Sequence, residues 1–75
     1  MTLDAAVRRA IVHSPGSIRQ LAKEAGVSHV VLWSIVHKRE RATPRVARLV
    51  AGALERWGKG CAANAAKVRA ALQDR

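Results

Sequence analysis

The side chains that could do chemistry are few, and their spacing assembles no catalytic set. The acids Asp4, Glu24, Glu40, Glu55 and Asp74 are scattered, with no pair at the spacing general acid–base catalysis uses. Cys61 has no histidine close in sequence, and no glycine-rich loop could cradle a phosphate. His29 and His37 do not form a chelating pair, and no cysteine lies near them. No catalytic residue, metal or cofactor is therefore expected, and 75 residues leave little room for a substrate pocket. What the chain does carry is positive charge. Fourteen Lys and Arg stand against five acids, a formal net charge of +9. Lys38, Arg39, Arg41, Arg45 and Arg48 fall together between residues 37 and 48, with Glu40 as the only acid. Clustered charge on so small a domain points to a polyanionic partner, and nucleic acid is the commonest one.

The stretch that must position these groups is residues 17–37, SIRQLAKEAGVSHVVLWSIVH. Ser17 and Gln20 form a capping box at the start of a helix. Ile18, Leu21, Ala22 and Ala25 recur on one face of it. Gly26 stands where a helix ends in a positive φ, which glycine adopts without steric cost. Val27 returns the chain to the core, and Ser28 caps a second helix with Val31, Leu32 and Ile35 inside and Val36 at the core's flank. Two short helices joined by a tight glycine turn read as a helix-turn-helix.

The flanking segments supply a small core. Thr2 to His13 reads as a first helix, with Thr2 as cap, Asp4 in the first turn and Leu3, Val7, Ala10 and Ile11 as its apolar stripe. Arg8 and Arg9 lie away from that stripe. Ser14, Pro15 and Gly16 break the chain before the capping box. After the basic loop 38–42, Thr43 and Pro44 take the cap and first position of another helix. Its stripe is Val46, Leu49, Val50, Ala53, Leu54 and Trp57, with Trp57 expected to make the largest core contribution. Gly58 ends it. Residues 61–73 form a fifth helix whose narrow face is Cys61, Ala65, Val68 and Leu72. That face either packs on the first helix or meets a second copy. The expectation is one all-α domain over residues 1–75, a compact bundle of five short helices. With no long apolar run, no membrane segment is expected. The lone cysteine and an N-terminal region without a signal-peptide core suit a cytoplasmic protein of a bacterial or phage-infected cell.

The run LAKEAGVS, the positions of Leu32 and Ile35, and the later RERATPRVARLVAGAL resemble the Cro and lambda-repressor type (XRE-type) helix-turn-helix family over roughly residues 14–57. The resemblance implies a lambda-repressor-like fold whose second motif helix enters the DNA major groove. On its pattern, His29, Val30, Trp33, Ser34 and His37 occupy base-contacting places. Phosphate-contacting places fall to Arg19, Lys23, Ser28, Lys38, Arg39, Arg41, Thr43 and Arg45, with the amides at Thr43 forming an anion site. Val30 can meet a thymine methyl, whereas forked Gln, Arg or Asn groups are missing from this surface. Trp33 is either a base-contacting wedge, part of a protein-binding patch, or partly buried against the preceding helix. Two positions depart from the family pattern. Ile18 stands where a phosphate-gripping glutamine is common, and Lys38 where glycine is.

These readings imply a sequence-specific regulator of double-stranded DNA, a small phage-type repressor binding a palindromic operator as a homodimer. The fifth helix is the candidate dimer surface, and Cys61 could crosslink it. Two rivals remain open: a protein-interaction module, an antitoxin or anti-repressor using Val30 and Trp33, and a charge-driven binder of nucleic acid indifferent to sequence.

Overall fold

The computed structural model describes residues 2–73, apart from the side chains of residues 59–61. The reading of Cys61 lies outside the described residues. Five helices follow in order: α1 (Leu3–Val12), α2 (Ile18–Ala25), α3 (His29–Val36), α4 (Pro44–Arg56) and α5 (Lys59–Gln73). Among the described residues there is no strand, and no helix is long and apolar enough to cross a membrane.

Local chemistry sets where the helices begin. The Thr2, Ser28 and Thr43 hydroxyls accept from the amides of Ala5, Val30 and Val46, each satisfying a donor that the first turn would leave without a partner. The capping box is complete: Gln20 N donates to Ser17 Oγ, and Ser17 N donates to Gln20 Oε1 at 2.9 Å. Gly26 ends α2 at φ 75°. A longer link pins α1 to the loop after α3, where the amide of Ala42 donates to Asp4 Oδ1 at 2.5 Å.

α4 lies at the centre, packed on α5, α2 and α1, while α3 packs on α2 and α1. The largest fully buried side chains are Leu21, Leu32, Ile35, Leu54, Val7, Val50 and Val68. Ala47, Ala51 and Ala53 on α4 and Ala65 on α5 are also wholly buried. Small side chains of this kind let helices approach closely, and the α4–α5 contact is the most extensive between helices of the chain.

Two expectations change, and one left open is decided. Trp57 is half-buried at the margin of the core, because it sits at the end of α4 and lies along the Pro15–Gly16 turn and Gln20. Leu49 is likewise at the margin of the core. The apolar face of α5 is already used within the chain: Ala65, Val68 and Ala71 are buried as α5 packs on α4 and α1. A dimer through that same face would require the monomer to open.

Candidate nucleic-acid interface

Because α3 packs inward on α2 and α1, its opposite face is open. Leu32 and Ile35 are buried, whereas His29, Val30, Trp33 and His37 are exposed. Val30 is 56% exposed and Trp33 41%, large values for apolar side chains in a chain with so small a core. Trp33 is thus partly covered beside Ile18 and Arg19 of α2 while a large part of its ring stays open. Ile18 and Arg19 from the first turn of α2 meet His29, Val30 and Trp33 from α3 along one open, mainly apolar groove.

Trp33 also organises the end of α3. Its ring lies 4.3 Å from that of His37, tilted by 39°. The Arg39 guanidinium stands 5.2 Å from the Trp33 ring centroid, within reach of a cation–π attraction. The loop turns back sharply to make this possible. Lys38 takes φ 61°, the Lys38 amide donates to the Ile35 carbonyl, and the Arg39 amide donates to the Ser34 carbonyl at 2.8 Å. That is the left-handed helix ending a glycine would supply. Lys38 therefore keeps the loop geometry that its side chain disfavours.

Ser34 is the one base-contacting assignment that the fold withdraws. It is buried, 7% exposed. It follows Val31 by one helical turn and so shares the inward face. The returning loop closes over it, with the amides of Arg39 and Glu40 both bonded to its carbonyl. Helical steps had put Ser34 on the outer face, and its cover by the loop depends on the Lys38 turn, which the sequence does not announce.

The cations expected at phosphates are all exposed: Arg19, Lys23, Lys38, Arg39, Arg41 and Arg45. Ser28 and Thr43 are exposed too, each hydroxyl accepting from its own helix while its proton stays available. The groove gathers Arg19, and the Trp33 stack holds Arg39. Arg41 lies apart, in a depression with Thr2, Leu3, Asp4 and Ala42.

The acids are mostly turned to structural work elsewhere. Arg56 donates to the Glu24 side chain at 2.6 Å and to the Glu24 carbonyl, tying α4 to the end of α2. Arg69 forms a two-pronged pair with Glu55, at 2.9 and 2.7 Å. That hydrogen bonding, with the charge of Arg69 behind it, holds the Glu55 carboxyl below its ordinary value. Asp4 is engaged by the Ala42 amide. Glu40 is left as the acid of the basic loop.

Ile18, expected on the inner face of α2 and at a place where a phosphate-gripping glutamine is common, packs at the core's edge and also walls the groove. Sequence reasoning missed Arg8, whose Nε donates to the Ile35 carbonyl at 3.4 Å and steadies the end of α3 from α1. An arginine beside an apolar stripe gave no signal of that long-range partner. Comparison with protein-family models, curated proteins and solved structures returns no match for this chain.

Proposed function

We propose that the chain is a helix-turn-helix regulator of the Cro and lambda-repressor type that binds double-stranded DNA through the exposed face of α3. The observation that carries this reading is that the acids are engaged within the fold, Asp4 by the Ala42 amide beside Arg41, while the cations near α3 stay exposed. Glu24, Glu55 and Asp4 are engaged by Arg56, Arg69 and the Ala42 amide. Arg19, Lys23, Lys38, Arg39, Arg41 and Arg45 thus flank α3 in sequence with Glu40 as the single opposing charge among residues 37–48. Phosphate contacts would fix the position of the domain, and the α3 face would touch base edges. The chain measures 27 × 27 × 18 Å, less than the ~34 Å between successive half-sites on one face of a duplex. Two copies on a palindromic operator would span that distance, and occupying the operator would exclude polymerase.

Selection from a pool of random duplexes at physiological salt tests the reading. Enrichment of a palindromic motif is the expected result. Retention of duplex without any motif, fading as salt rises, would replace it with charge-driven binding. Failure to retain duplex at all would turn the Val30 and Trp33 face toward a protein partner.

A further inference from the structure

The open face of α3 is defined by what it lacks. Across His29–Val36 the sequence is HVVLWSIV, with no Asn, Gln, Arg or Lys, the side chains whose forked groups read adenine and guanine edges. The fold subtracts one polar group more, since Ser34 is buried. His37 has its ring against Trp33. The groove is then walled by Ile18, Val30 and Trp33, with His29 and Arg19 as its polar members.

A polar base edge pressed on such walls would lose water without gaining a partner. The major-groove feature that gains from an apolar wall is the C5-methyl group of a pyrimidine. Thymine carries it, and 5-methylcytosine carries it at the same ring position. Charge complementarity commits the groove to a nucleic-acid occupant: Arg19 is part of the groove itself, Arg39 lies over Trp33 and Lys23 is exposed one turn along α2. Phosphates flank the methyl-bearing groove floor in the same way that these cations flank the apolar walls.

We infer that the groove between α2 and α3, walled by Ile18, Val30 and Trp33, reads the C5-methyl groups of pyrimidines in duplex DNA, so that preferred sites are methyl-rich. The inference rests on the duplex-binding reading above.

The test takes duplexes enriched from a random pool and resynthesises them with deoxyuridine at each thymidine in turn, which removes the methyl and nothing else. Affinity should fall about four-fold at each position whose methyl meets the groove, the worth of burying one such group. Val30→Ser removes both methyl groups of that wall, and Trp33→Ala removes the opposite wall. Val30 is exposed, so its variant should melt nearly as the native chain does, whereas Trp33→Ala also frees His37 and Arg39 and should melt lower; in both, the thymidine-to-deoxyuridine ratio falls toward one. Enriched duplexes that bind equally with either base would overturn the methyl inference and leave the operator reading standing. A pool that yields no enriched duplex would overturn both.

Discussion

At the residue scale, two left-handed turns of opposite composition frame α3. Gly26 adopts φ 75° with open space around the position of a Cβ, so Gly26→Ala introduces backbone strain and no clash. A cost of roughly 1–2 kcal/mol is expected. Lys38 at φ 61° already bears that strain. Lys38→Gly should therefore raise stability by roughly 0.5–1 kcal/mol, the two variants moving the midpoint of thermal unfolding in opposite directions. If Lys38→Gly melts lower, the left-handed turn is not the strained point described here. Ser34→Ala gives a functional counterpart. With its side chain under the returning loop, the substitution should leave sequence preference unchanged, measured against a change on His29→Ala. The Gly26 turn was legible because glycine announces it. The Lys38 turn was not, since a lysine there signals nothing, and the burial of Ser34 followed from it.

At the scale of elements, the capping residues made the helix starts readable: Thr2, Ser17, Ser28 and Thr43 each cap as their types and spacing imply. Contacts between elements were less visible. The Asp4 bond to the Ala42 amide joins α1 to the loop that carries Arg39 and Arg41. Asp4→Ala strips that partly buried amide of its partner and should cost about 1–3 kcal/mol. Amide exchange at Ala42 should quicken in the same variant; unchanged exchange would show that the bond does not hold the loop. The α4–α5 pair gives a pH signature. Glu55 has its carboxyl lowered by Arg69, so the stabilising contribution is present above the ordinary carboxylate range and is lost as pH falls through the lowered value. Glu55→Gln should flatten that acidic limb of the stability curve, and high salt should shrink it, because the pair is exposed. The position of Trp57 was misjudged for a physical reason. Its stripe is helical, but the helix ends there, and the ring follows the chain's exit onto the Pro15–Gly16 turn.

At the scale of the whole molecule, the all-α class and the number of helices were legible from caps and periodicity, whereas the direction of α5 was not. Its face could have met α1 or another copy, and only the three-dimensional packing assigns it to α4 and α1. The net charge of +9 sets the expected solution behaviour. On the proposed reading, affinity for duplex should fall linearly on a log–log plot against salt, and replacing Arg45, a cation proposed to meet phosphate, by Ala should reduce the slope by about one. A slope unaffected by the whole set of Arg19, Lys23, Arg41 and Arg45 substitutions would place the charge contact elsewhere. The most direct measurement is nuclear magnetic resonance mapping of the isotopically labelled chain titrated with an unselected duplex of about 20 base pairs. The amides of residues 28–30, 38–43 and Arg45 and the Trp33 indole should shift, while those of residues 62–73 on α5 stay in place. Shifts confined to α5, or none at low salt, would contradict the assignment of the α3 face to DNA.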